Sequence, residues 1–206
     1  SNLVEFQMGL EPGNNDSDGD GIADNIEIAQ GYDPTLYTLV IYVDPAKSDD
    51  SEDGLTQATA KKTIKAAFEM CSRGLDNVVM LLPGIYCGAD NRNFSFDRYN
   101  IKIKGTGGAA TTVVDLENTS RFFYLSNGGS LNFIDGITFK NGNSDYGSAV
   151  RLDNMNMEIR NCIFEDNYAS QQGTLYISGR AGKIINTVFL RNEAAYGGAL
   201  SLSGSG

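Results

Sequence analysis

Ile159-Arg160-Asn161-Cys162-Ile163-Phe164-Glu165-Asp166-Asn167 and Ile184-Ile185-Asn186-Thr187-Val188-Phe189-Leu190-Arg191-Asn192 lie 25 residues apart and match at Ile, Asn, Phe and Asn. The same step runs back to Ile134 and Phe139, and two further columns keep it: Val150, Leu175, Leu200 and Leu152, Ile177, Leu202. Small residues Ser148, Gly173 and Gly198 recur in register at turns. Several columns at one period point to a solenoid, in which each coil sets its apolar side chains on those of the coil about 4.8 Å away. Alternation then places Val150, Leu152, Leu175 and Ile177 inside and Arg151 and Tyr176 outside. Cys162 shares a column with Ile137 and Thr187 and reads as an inert core thiol. Asn161 and Asn186 share another, which predicts an amide ladder along a turn.

Upstream, Tyr37–Val43 is rich in β-branched and aromatic residues and reads as a strand. An acidic loop follows over 44–53, carrying Asp44, Asp49, Asp50, Glu52 and Asp53; its irregular spacing fits a solvated loop better than a second ion site. A helix is expected near 61–72, with Ile64, Ala67, Phe68 and Cys71 on one face. Then comes a buried strand, Val78–Leu82, stopped by Pro83-Gly84. This order resembles the N-terminal cap of right-handed parallel β-helix proteins, where a helix covers the open end of the stack. Segments 100–104, 112–116 and 121–125 read as the first, less regular coils. The repeat itself is similar to those of polymorphic outer membrane proteins. Phe164–Asn167 and Phe189–Asn192 fit F-x-x-N, and Gly197-Gly198-Ala199-Leu200 fits G-G-A-[ILV]; Phe139 departs, being followed by Gly142. The resemblance implies an extracellular, adhesin-like architecture more than any activity.

The first thirty-five residues are of another kind. Asp16-Ser17-Asp18-Gly19-Asp20-Gly21-Ile22-Ala23-Asp24-Asn25-Ile26-Glu27 matches D-x-[DN]-x-[DN]-G-x5-E at every fixed position. Ca2+ takes six to eight hard oxygens. Asp16, Asp18, Asp20, the Ile22 carbonyl, Asp24 (directly or through water) and a bidentate Glu27 form the expected shell, with Gly21 allowing the sharp turn. Carboxylates this dense repel one another unless a cation sits between them. The position of Ile22 and the lack of an entering helix resemble thrombospondin type 3 repeats, as does the continuation Glu27-Ile28-Ala29-Gln30-Gly31-Tyr32-Asp33-Pro34. Glu5–Pro12 repeats that pattern and looks like the tail of a preceding unit.

The expected architecture is therefore all-β: residues 1–35 as a calcium-binding module, and 36–206 as a capped right-handed parallel β-helix that continues beyond Leu202. Composition narrows the function. The 206 residues carry 16 basic and 26 acidic side chains, a net charge of −10 and no histidine. That balance argues against nucleic acid, and the absent imidazole excludes histidine-dependent catalysis. No apolar run is long enough to span a bilayer. Cys71 and Cys87 offer a disulfide suited to an oxidising compartment, which sequence alone leaves open. The reading is a non-catalytic, extracellular cell-surface structural or adhesion module. Its expected partners are calcium, surface polysaccharide or other surface proteins, with self-association through the β-helix ends. The rival is a polysaccharide lyase or epimerase acting on acidic polysaccharides, using outward Arg151, Arg160 and Arg191. A third alternative is a non-catalytic carbohydrate-binding module with Tyr146, Tyr176 and Tyr196 as sugar platforms.

Overall fold

A computed structural model describes residues 9–10, 13–97, 100–127, 132–179 and 182–203; most of the Glu5–Pro12 pattern lies outside the described residues. The chain winds as an all-β parallel solenoid of about five turns, with every sheet pairing parallel. Its wall has four faces. The first stacks Thr38–Val43, Asp76–Leu81, Ile101–Gly105, Asn132–Asp135, Met157–Arg160 and Lys183–Ile185 in that order. The second stacks Gly84–Tyr86, Thr112–Asp115, Thr138–Lys140, Ile163–Glu165 and Val188–Leu190. A third stacks Asn143–Tyr146, Tyr168–Gln172 and Glu193–Tyr196 and, among the described residues, is confined to the last three coils. The fourth stacks Phe94–Asp97, Phe123–Ser126, Val150–Asp153, Leu175–Ser178 and Leu200–Ser203.

The predicted columns superpose. Phe139 and Phe164 stack with ring centroids 5.4 Å apart, and Phe164 and Phe189 with centroids 5.1 Å apart and planes 10° from parallel. Ile134 pairs with Ile159 and Ile159 with Ile184. The column of Val150, Leu175 and Leu200 extends back through Phe123 to Phe94. Cys162 is buried in the core, and burial pushes its thiol up to about 12, so it stays protonated and unreactive.

Corners follow from the same register. Gly136, Asn161 and Asn186 all have positive φ, a conformation that Asn and Gly tolerate best. There the Asn186 amide donates to Asn161 Oδ1 at 2.8 Å, the predicted ladder. A second ladder explains F-x-x-N. Buried Asn167 donates to the Phe139 carbonyl at 3.1 Å and to Asn192 Oδ1 at 2.9 Å, and accepts from the Gly142 N–H at 2.7 Å. Gly142 occupies this column because a Cβ there would lie 2.1 Å from the Ser148 carbonyl oxygen.

The helix Ile64–Met70 buries Ile64, Ala67 and Phe68. Asp50 fixes its start, accepting from the N–H groups of Lys62 at 2.7 Å and Thr63 at 2.9 Å. Phe68 meets Phe94 and Phe96 edge-on, with centroids 4.7 and 4.8 Å away. In the 44–53 loop the Lys61 ammonium donates to the carbonyls of Asp50 and Glu52, so a lysine supplies the positive charge there. Cys71 and Cys87 are not bridged. Both are free thiols in this structure, Cys71 buried in the core and Cys87 exposed. No helix among the described residues is long and apolar enough to cross a membrane.

Candidate metal centre

The acidic segment does not hang free of the solenoid. Tyr32, just beyond the short helix Asp24–Gln30, is 4% exposed and packs on Val78 and Phe133 on the outer side of the first face. Gly31 closes that helix in the left-handed conformation (φ 79°), where any Cβ would touch the Phe133 ring at 3.6 Å. The continuous apolar run Val78–Leu82 is thereby covered on both sides, as its composition requires.

Within the loop, one carboxylate oxygen each from Asp16, Asp18 and Asp20 lies within 4.8 Å of the others. Backbone donors hold the arrangement. Asp16 accepts from the N–H groups of Gly19 and Gly21, Asp18 from that of Asp20, and Asp20 from that of Ile22, at 2.7–3.0 Å. Burial raises the proton affinity of Asp18; the Asp20 N–H opposes this, and the charges of Asp20 and Asp16 add to it.

Glu27 is fully buried. Its Oε1 accepts from the Thr38 hydroxyl at 2.8 Å, while Oε2 has no hydrogen-bond partner; Asp18 Oδ2 is likewise buried and unpartnered. An ionised carboxylate in that state is costly. Desolvation accordingly pushes Glu27 up to about 7, with the charges of Asp18, Asp20 and Asp24 contributing and the Thr38 bond opposing. Three convergent aspartates, one of them with an orphaned oxygen, fit a hard cation with oxygen ligands; Glu27, whose Oε2 is also orphaned, is not one of that cluster.

The other predicted ligands are placed differently. Ile22 is half-buried, with its N–H on Asp20. Asp24 is committed elsewhere: its two oxygens accept from the Ser17 N–H at 2.7 Å and the Ser17 hydroxyl at 2.8 Å. It braces the loop from behind, a role its place in the motif does not announce. Thr38 was not singled out by the sequence. Its N–H donates to Asp20 Oδ2 at 2.8 Å and its hydroxyl holds Glu27, so the first residue of the first strand grips two of the acidic residues. With separations of 18 and 11 residues, no local pattern reveals it.

The raised Glu27 value has a sign. Between its usual 4.5 and about 7 the folded chain holds a proton that the unfolded chain has released. Stability of the metal-free protein therefore falls as pH rises through that window. In chelator, melting temperature is expected to drop between pH 5 and pH 8, with a flatter profile for Glu27→Gln. A metal-free wild type that gains stability over this range, or a variant with an unchanged slope, would refute the assignment.

The sugar and charge candidates lie on the fourth and neighbouring faces. Tyr146 and Tyr176 meet edge-on at 5.4 Å, and both rings lie within 5.7 Å of the Arg151 guanidinium. Tyr176 is only 9% exposed, whereas Tyr196 is 71% exposed. Arg151 pairs with Asp153, Arg160 with Asp135 and Glu158, and Arg191 with Asp166 and Glu165. Comparison of the chain with protein-family models, curated proteins and solved structures gives no match.

Proposed function

We propose that this chain is a calcium-binding, non-catalytic structural module of the extracellular cell surface, serving adhesion or filament architecture. Residues 1–35 act as a thrombospondin type 3-like calcium unit; 36–206 act as a right-handed parallel β-helix whose first turn is capped by Ile64–Met70. The observation that carries the reading is the convergence of Asp16, Asp18 and Asp20, supported by the buried oxygens of Asp18 and Glu27 that have no donor. Asp16, Asp18, Asp20, Glu27 and the Ile22 carbonyl would hold the ion, with water completing the shell. Calcium there would cancel the mutual repulsion of the loop. Because Asp20 and Glu27 also hold Thr38, occupancy would stiffen the junction with the first strand. Extracellular modules bind calcium with dissociation constants of ~10⁻⁴–10⁻³ M, levels met outside cells.

The capping role draws support from Phe68, which covers Phe94 and Phe96 on the first strand of the fourth face. The lyase reading is disfavoured by the pairing of Arg151, Arg160 and Arg191 with acidic neighbours, which leaves their charge already neutralised. For glycan binding, Tyr146 and Tyr176 already face Arg151 and each other.

Chelation tests the proposal. A ligand at a hundred times its dissociation constant stabilises the native state by ~2.7 kcal/mol. Melting temperature is expected to rise in millimolar calcium over chelator, with magnesium much less effective. Identical melting in calcium and chelator would remove the calcium role and leave only the fold.

A further inference from the structure

Asp76 and Lys102 form a fully buried ion pair apart from the acidic loop. Asp76 opens the strand Asp76–Leu81, and Lys102 lies on its neighbour Ile101–Gly105, opposite Val78. Alternation sets Asp76, Val78 and Lys102 on one side of the first face, the outer side that Tyr32 covers. The long lysine side chain runs back along the strand to the carboxyl two residues away. Both side chains are 0% exposed, and Lys102 Nζ is ion-paired with Asp76 Oδ1. Asp76 Oδ2 accepts the Asp33 N–H at 2.8 Å.

A salt bridge alone is a poor reason to bury two charges, since desolvation often exceeds the attraction gained. Burial raises the proton affinity of the Asp76 carboxyl and lowers that of the Lys102 amine. The negative charges of Asp76, Asp33 and Glu27 oppose the second shift without reversing it. Desolvation favours the neutral form of each while the partner's charge opposes it, so a carboxylic acid beside an amine lies one proton transfer away within the buried pair. That is the reactant pair for amide formation. We propose that Lys102 Nζ and Asp76 Cγ join in an intramolecular isopeptide bond, tying two successive coils of the solenoid covalently.

The step needs no co-reactant. A proton passes from Nζ to Oδ1 within the pair, leaving a neutral amine and a carboxylic acid. The amine attacks Cγ, and negative charge gathers on Oδ2, where the Asp33 N–H already donates. Oδ1 takes a second proton from Nζ and leaves as water. The C–O bond breaks as the C–N bond becomes an amide, and the carbonyl re-forms on Oδ2. Fixed juxtaposition replaces the entropy cost of bringing amine and acid together. Tyr32, Val78 and Phe133 form an apolar cover over this side, which disfavours return of the expelled water.

Mass spectrometry of the intact wild-type chain tests this first: its mass should be one water below the sequence value. Cyclic imides at Asp18-Gly19, Asp20-Gly21, Asp53-Gly54 or Asp135-Gly136 would lose the same mass, so a tryptic digest decides. Segment 74–92 should be recovered joined to segment 99–104, with no cut after Lys102 and with fragments placing the bridge between Asp76 and Lys102. Lys102→Arg should abolish the joined peptide and leave any imide loss unchanged. A full-length mass, or free segment 74–92 with normal cleavage after Lys102 in the wild-type digest, overturns the proposal. The wild-type result stands even if the variant fails to fold.

Discussion

Phe164→Ala should lower the unfolding free energy by about 3–5 kcal/mol, the usual cost of emptying a large aromatic site in a packed core. Phe164 is fully buried between Phe139 and Phe189, with centroids 5.4 and 5.1 Å away. Truncation therefore removes both stacking partners of one ring as well as its buried apolar area. The gap cannot close easily, because the backbones of three neighbouring coils are held in register by the strands on either side. Phe189 lies on the last described coil and is only partly buried, so Phe189→Ala should cost clearly less. Urea unfolding followed by circular dichroism separates the two. A loss below about 1 kcal/mol for Phe164→Ala would mean that the phenylalanine column does not carry the core.

Glu27→Gln should reverse the order of stability depending on calcium. In chelator at pH 8 the wild type must keep an ionised, fully buried carboxylate with one orphaned oxygen. The glutamine amide keeps an acceptor for the Thr38 hydroxyl and carries no charge, so the variant should melt higher. In millimolar calcium the wild type gains the binding free energy, on the order of 2–3 kcal/mol at a hundredfold excess over the dissociation constant. The variant loses an anionic ligand and most of that gain, and should melt lower. If Glu27 were a purely structural acceptor for Thr38, the two proteins would keep the same order in both buffers.

The period of 25 was readable because each coil repeats the same residue types at the same places, and parallel stacking turns sequence register directly into contact. The earlier coils were harder. Their inward column runs from Val79 to Ile103 to Ile134 at unequal steps, because loops at the corners change length while the strands stay in register. The helix Ile64–Met70 announced itself through its apolar face, although Asp50, its N-terminal anchor, looked like part of a solvated loop. The F-x-x-N motif was visible, but its cause was not. Only the stacked coils show Asn167 and Asn192 bonding the carbonyls of Phe139 and Phe164.

At the acidic loop, spacing identified Asp16, Asp18 and Asp20 because a tight turn alone brings them together. Asp24 fits the same pattern yet is held by Ser17, a competition between neighbours that a motif does not encode. The docking of Tyr32 on Val78 and Phe133 depends on residues far apart in the chain. The only local sign of it was the unbroken apolar run at Val78–Leu82, which asks for cover on both sides. Tyr176 shows the opposite failure. Alternation correctly sent it outward, but the crossing Arg151 and Tyr146 leave little of it exposed.

Calorimetric titration of calcium into the metal-free chain measures the occupancy of the acidic loop directly. One ion per chain is expected, bound more tightly than about 1 mM, with binding strongly weakened in Asp18→Ala. Absence of binding at millimolar calcium, or binding that survives Asp18→Ala unchanged, would contradict a calcium centre at Asp16, Asp18, Asp20 and Glu27.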